Sequence, residues 1–280
     1  MQRSFSPRQK AAVSAAAIFL ILLAMLAGGC GSGKPPQTSP PSSRPQSAPK
    51  DSGASFKFIV CGDPQNNYEV FDKVLQAARS VDFLLIAGDL TGSGTSTEFQ
   101  NFADHMKASG VRYYSVPGNH DVATSPVTQA YTTYIGPPHQ SFDYKNTHFV
   151  LIDNSTPSLG FYPAERQWAA ADMKAAKAKG FEHMIAVAHV PPRFPYSAKA
   201  SSDQVAGIDA NDLLAPVLKS GGVEELFCGH VHTYSEETED GLLITISGGA
   251  GAPLLGVNSY HNYVLVEING RRRTQSVIRI

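Results

Sequence analysis

Cysteine is scarce, with three in 280 residues, so no disulfide framework can stand in for a hydrophobic core. Apolar content is ordinary and no short repeat runs through the chain, which excludes a disordered, collagen-like or coiled-coil architecture. Acidic residues are missing from the first 50 positions, where six basic ones stand; residues 51–280, with 17 basic against 24 acidic residues, carry a formal charge of −7. That shortage of positive charge argues against a binder of the nucleic-acid backbone, which shows a basic face. It leaves room for a site that depends on cations. Between Gly31 and Ala54 no aliphatic or aromatic residue larger than Ala occurs, so this stretch has nothing to bury and cannot fold alone. The rest is ordinary for a globular chain: 42% hydrophobic and 17% charged residues, with 24 Gly and 19 Pro, enough for one sizeable core.

Arg3, Arg8 and Lys10 precede 19 uncharged residues, Ala11 to Gly29, centred on Ile18-Phe19-Leu20-Ile21-Leu22-Leu23. Positive flank, apolar centre and small residues at the end form the pattern of an export signal. Leu26-Ala27-Gly28-Gly29-Cys30 resembles the bacterial lipoprotein signal, which implies cleavage before Cys30 and lipidation of that residue. The alternative is an uncleaved anchor, since 19 uncharged residues just span a bilayer. Either reading places the remainder of the chain outside the cytoplasm, joined to a membrane by a lipid or an anchor. Residues 1–29 are therefore expected to be a signal peptide, 30–54 a Pro/Ser/Gly-rich semi-extended spacer, and 55–280 the folded domain. Oligomeric state is not legible. Cys61 and Cys228 remain as either a pair or, preferably, two buried free thiols.

From Phe56 onward apolar runs of strand length alternate with amphipathic segments. Phe56–Val60, a helix around Val70–Ala78, and Phe83–Ala87 make a β-α-β unit. The rhythm continues with Phe99–Met106 as helix, Tyr113–Val116 as strand, Glu165–Lys179 as helix and His183–Ala188 as strand. Continuous apolar strands require a sheet covered on both faces. Phe142–Tyr144 and His148–Ile152 read as a hairpin about Lys145-Asn146, and Leu242–Ile246, Tyr263–Ile268 and Ser276–Ile280 as an antiparallel C-terminal part with turns at Asp240-Gly241 and Asn269-Gly270. The expected class is α/β, with strands in more than one sheet.

Five strand ends carry polar signatures: Gly62-Asp63-Pro64-Gln65, Gly88-Asp89, Gly118-Asn119-His120-Asp121, His189, and Gly229-His230-Val231-His232. In open α/β sheets the loops beyond the strands' carboxyl ends converge on one crevice. Carboxylates, an amide oxygen and imidazoles together suit Mn, Fe or Zn. A lone Gly-Asp is commonly just a turn, but Gly-Asn-His-Asp arises by chance in about one chain in a thousand of this length.

In order and spacing these five motifs resemble the calcineurin-like metallophosphoesterase superfamily. The likeness extends to Ser141-Phe142-Asp143-Tyr144, to His148–Asp153 and to Gln167-Trp168. It implies a four-layered α-β-β-α sandwich of two mixed sheets flanked by helices, with a two-metal centre at the strand ends. Asp89 would bridge both ions, Asp63 and His232 hold the first, and Asn119, His189 and His230 hold the second. His120 would protonate the leaving oxygen, with Asp121 orienting it. The implied activity is hydrolysis of phosphate mono- or diesters by a hydroxide held between the ions, on a small phosphorylated substrate.

One position departs from the superfamily's usual Asp-x-His, which here is Asp63-Pro64-Gln65. Gln65 would ligate the first ion weakly, act through water, or leave a position open. The Gly-Asp-Pro-Gln form resembles a subgroup with Mn-dependent members, which favours Mn. Two other classes compete: a surface lipoprotein that binds metal or phosphate without turnover, and a structural metalloprotein. His105, His139, His148, His183 and His261 are expected in surface or hydrogen-bonded core roles, and Arg193 as a solvated loop residue. Tyr144, Tyr196 and Tyr234 are candidates for the rim. Specificity is expected in the loops 92–97, 124–133 and 191–206.

Overall fold

The computed structural model describes residues 53–122, 129–157, 159–192 and 210–280. Cys30, the expected signal and nearly all of the spacer lie outside them, as do Arg193 and Tyr196. No helix among the described residues is long and apolar enough to cross a membrane.

The chain runs β1 (Ser55–Cys61), α1 (Tyr68–Ala78), β2 (Phe83–Ala87), α2 (Ser96–Ser109), β3 (Tyr113–Val116), α3 (Gln129–Tyr134), β4 (Gln140–Tyr144), β5 (Thr147–Leu151), α4 (Pro163–Lys179) and β6 (His183–Val187). After a short 3-10 turn at Ala210–Leu213 come α5 (Leu214–Gly221), β7 (Glu225–Cys228), β8 (Tyr234–Glu239), β9 (Leu242–Ser247), β10 (Asn262–Asn269) and β11 (Arg272–Arg279). Among the described residues, eleven strands form two mixed sheets, ordered β11-β10-β1-β2-β3 and β4-β5-β6-β7-β9-β8.

Side-chain alternation along the buried strands builds the layers. Phe56, Phe58, Val60, Phe83, Leu85 and Ala87 of one sheet meet Phe149, Leu151, Ile185, Val187 and Phe227 of the other. Phe58 stacks on Phe83, with centroids 5.3 Å apart, and meets Phe149 edge-on at the same separation; such pairs add about 0.5–1.5 kcal/mol beyond the area they bury. The intervening residues point outward: Ile59, Cys61, Leu84 and Ile86 pack under α1 and α2, and Val150, Ala186, Leu226 and Cys228 under α4 and α5. The result is the expected four-layered α-β-β-α sandwich. Cys61 and Cys228 are buried free thiols on the two outer faces, with both sheets between them, so they do not pair.

The structure departs from these expectations in its C-terminal half and in its short elements. The C-terminal part is not purely antiparallel: β9 runs parallel to β7, while β10 returns to the other sheet and pairs antiparallel with β1. Strand β8, Tyr-Ser-Glu-Glu-Thr-Glu, gave no periodic signal because it is an edge strand with mostly exposed side chains. The short helices α3 and α5 also went unread. α3 takes up Gln129–Thr133 of the expected loop, and α5 carries Pro216 in its first turn, a position a helix tolerates because that N–H has no intrahelical partner.

Candidate metal centre

Within the first sheet β1, β2 and β3 run parallel, and so do β6 and β7 in the second. Their carboxyl ends therefore open at one end of the sandwich. Backbone bonds lace the loops together there: Asp63 N–H to the Gly88 carbonyl at 3.0 Å, Gly229 N–H to the His189 carbonyl at 3.1 Å, and Ala250 N–H to the Gly62 carbonyl at 3.0 Å. Asp63, Gln65, Asn66, Asp89 and His230 all have positive φ, from 41° to 66°; the other two such non-glycine residues described, Lys145 and Asp240, sit in hairpin turns. Strain of this kind costs about 1–3 kcal/mol per residue and persists where the surroundings over-determine it. Gly88 and Gly118 make the crowding possible. A Cβ at Gly88 (φ 85°) would enter the His189 ring, and one at Gly118 would overlap the Asp89 carboxylate.

The motif side chains gather in two lobes that share Asp89. In one, Asp63, Asp89 and His232 present ligand atoms all within 4.8 Å of one another, with His232 Nε2 3.5 Å from Asp63 Oδ1. In the other, Asn119 Oδ1 lies 3.0 Å from His189 Nε2 and 2.8 Å from His230 Nδ1, and His189 Nε2 lies 3.4 Å from Asp89 Oδ1. Backbone carbonyls set the rings: His189 Nδ1 donates to Ala87 at 2.8 Å and His232 Nδ1 to Pro253 at 2.8 Å. Each Nε2 is thereby turned inward, the arrangement second partners impose on metal-binding imidazoles.

Burial shapes the electrostatics. Burial pushes the Asp63 carboxyl up to about 6, against the pull of His232. Burial also drives His230 down to about 3, with the neighbouring His189 adding to it. For His189 and His232 burial works downward but is outweighed by the carboxylates, Asp89 and Asp63 at the first and Asp63 at the second, so both imidazoles shift upward. A set of acceptors this close is held together by positive charge, either protons on the imidazoles or a cation. Two carboxylates, an amide oxygen and three imidazoles fit a pair of borderline divalent ions.

The sequence profile of calcineurin-like phosphoesterases matches residues 56–234. The chain belongs to this family. The family characteristically uses a dinuclear metal centre, and the two lobes occupy the strand ends where that centre is expected. Among curated relatives, the chain is 25% identical over 166 residues to a 3',5'-cyclic-nucleotide phosphodiesterase of Nostoc sp., covering 58% of this chain and 60% of that one. It is 24% identical over 198 residues to purple acid phosphatase 21 of Arabidopsis thaliana, covering 64% of this chain and 44% of that protein. The matches thus span less than two thirds of either relative. Among solved structures, purple acid phosphatase PPD1 from yellow lupin (Lupinus luteus) seeds shares the fold with a TM-score of 0.63 at 13% identity, over 81% of this chain and 52% of that one.

Within this phosphoesterase domain the expected contact between Asp121 and His120 is not made. Asp121 is buried, and its two oxygens accept from the N–H groups of Leu90, Thr91 and Gly118 and from the Thr91 hydroxyl, at 2.8–3.0 Å. It ties the loop of Asp89 to that of Asn119 and has no orientation left for the imidazole. Burial, with Asp89 nearby, pushes this carboxyl up to about 7, while its donors pull the other way. His120 is oriented by the Gly92 carbonyl, 2.8 Å from its Nδ1. Gln65 reaches the site, but with its amide nitrogen on Asp89 Oδ2 at 3.1 Å.

Asn154 was not singled out in the sequence. Its Oδ1 accepts from the N–H groups of His189 and Val190 at 3.0 and 3.1 Å, and its Nδ2 donates to the Val190 carbonyl and to Asn211, clamping the His189 loop. The signal available was its position just beyond β5, where the other parallel strands carry ligands. The histidines outside the motifs are all hydrogen-bonded: His105 to Asp72, His139 to Glu165, His148 to Asp143 and Asp172, His183 to Glu224 and the Gly270 carbonyl, and His261 to the Gly249 carbonyl. Tyr144 is no rim residue. Its hydroxyl donates to Asp82 at the start of β2, at the end of the sandwich away from the site.

Proposed function

We propose that this phosphoesterase is a dinuclear-metal hydrolase of phosphate mono- or diesters, tethered outside the cytoplasm. The observation that carries the reading is the pair of ligand lobes sharing Asp89. Asp63 and His232 would hold one ion, Asn119, His189 and His230 the other, and Asp89 both. Bound there, the ions would supply Lewis acidity, lowering the pKa of a coordinated water and neutralising phosphate oxygens. Mn is favoured among Mn, Fe and Zn. His120 supplies the proton chemistry. A carbonyl partner keeps Nδ1 protonated, so Nε2 is the atom that gains and loses a proton, and it delivers one to the leaving oxygen of the ester. Asp121 holds the two loops that carry Asp89, Asn119 and His120, and acts through them. The named relatives, a cyclic-nucleotide phosphodiesterase and purple acid phosphatases, support both diesters and monoesters as substrate classes. The export pattern ending at Cys30 supports the tether; incorporation of labelled fatty acid that a Cys30→Ala change abolishes is its expected signature.

The test is p-nitrophenol release from p-nitrophenyl phosphate and from its bis-ester by the full-length protein, with Mn(II) added or chelated. Turnover that chelator removes and Mn restores is expected, and the preferred ester separates monoesterase from diesterase. Metal bound in full with no turnover on either ester or on cyclic nucleotides would instead mark a binding protein.

A further inference from the structure

Gln65 stands against Asp89, the residue that the two lobes share, and bonds to it twice. Its backbone N–H donates to the Asp89 carbonyl at 3.0 Å, and its side-chain nitrogen lies 3.1 Å from Asp89 Oδ2. The amide orientation follows from the contact: reversing it would set Oε1 against a carboxylate oxygen, two acceptors face to face, whereas the nitrogen donates. That nitrogen has no lone pair to give an ion. The other oxygen, Asp89 Oδ1, accepts the His120 backbone N–H at 2.8 Å. Each oxygen of the carboxylate is thus held by one donor and retains lone-pair capacity for one further partner, which suits a carboxylate shared between two ions.

We propose that Gln65 is a positioning residue for the shared carboxylate and supplies no ligand to the first ion. The lobe of Asp63, Asp89 and His232 then offers three side chains where that of Asp89, Asn119, His189 and His230 offers four. The centre accordingly binds one ion tightly and a second one weakly and exchangeably, the second retaining more positions for water or a substrate oxygen. The inference rests on the dinuclear reading above.

Calorimetric titration of metal-free full-length protein with Mn(II), together with Mn(II) electron paramagnetic resonance, tests it. The expected isotherm has two sites whose affinities differ by about 10-fold or more, the scale on which partners around a metal shift its affinity. Gln65→His, which puts an imidazole at this position, should tighten the weaker site and narrow the gap. Gln65→Met keeps the length of the side chain but neither donates nor offers oxygen. Because Asp89 belongs to both lobes, this change should weaken both sites by about 10- to 100-fold, with circular dichroism unchanged. Equal affinities in the wild type, or a Gln65→Met effect confined to the weaker site, would overturn the proposal, the second by making Gln65 a ligand. A single Mn site, or none, would overturn the dinuclear reading along with it.

Discussion

The two ends of the sandwich both bury histidines among acidic and carbonyl groups, yet they solve the problem in opposite ways. Away from the candidate metal centre, His148 sits between Asp143 at 2.6 Å and Asp172 at 2.8 Å, and His183 between Glu224 at 2.7 Å and the Gly270 carbonyl at 2.8 Å. Every ring nitrogen there faces an acceptor, so the protein itself completes the network. At the strand carboxyl ends the inward atoms of His189, His232, Asn119, Asp63 and Asp89 face one another. Acceptors set against acceptors are stable only around positive charge. The first end is structural; the second needs positive charge among its ligand atoms, which protonated imidazoles or a bound cation would supply.

Removing the shared carboxylate should break this contrast most severely. Asp89→Ala is expected to abolish metal binding at both lobes, as read by elemental analysis after dialysis, and turnover with it; metal retained at full stoichiometry would sink the assignment of Asp89 to both ions. His120→Ala should keep the metal and lower kcat by about 10²- to 10⁴-fold, the usual worth of a positioned acid. Asn154→Ala, which frees the His189 loop, should weaken the tighter Mn site by about 10- to 100-fold while leaving the lobe of Asp63 and His232 near its wild-type affinity.

The smallest effect belongs to the opposite end. The His183 imidazole stands above its ordinary 6.5, burial opposing and Glu224 with the Gly270 carbonyl prevailing. A raised folded-state value means that this contribution is fully present below about 6.5 and fades as pH rises through the folded value. His183→Asn should therefore cost about 1–2 kcal/mol in urea unfolding at pH 6 and distinctly less at pH 9. An equal loss at both pH values would show that the charge of the imidazole contributes nothing.

Much of this was legible in the chain. The apolar strands and their helical companions followed from periodicity, and Asp63, Asp89, Asn119, His189, His230 and His232 from their places just after strands. What escaped has physical causes. Asp121 stands beside His120 in sequence, but neighbours along a tight turn need not face each other, and its oxygens bond to Leu90 and Thr91 some thirty positions earlier. Asn154 belongs to no motif, because a residue that holds another in place needs only a position and two polar atoms. Strand β8 is polar because it lies at an edge, and an edge strand leaves no apolar rhythm.

By itself the sequence determined which residue types stand at the ends of which strands, since that order is covalent and the strands are written in their apolar runs. Only the tertiary structure decided that β9 joins β7 while β10 crosses back to β1, that Cys61 and Cys228 lie on opposite outer faces, and that Gln65 turns its nitrogen toward Asp89. Those outcomes depend on contacts between segments far apart in the chain, where each carboxylate, amide and ring settles only when its neighbours' donors and acceptors are in place.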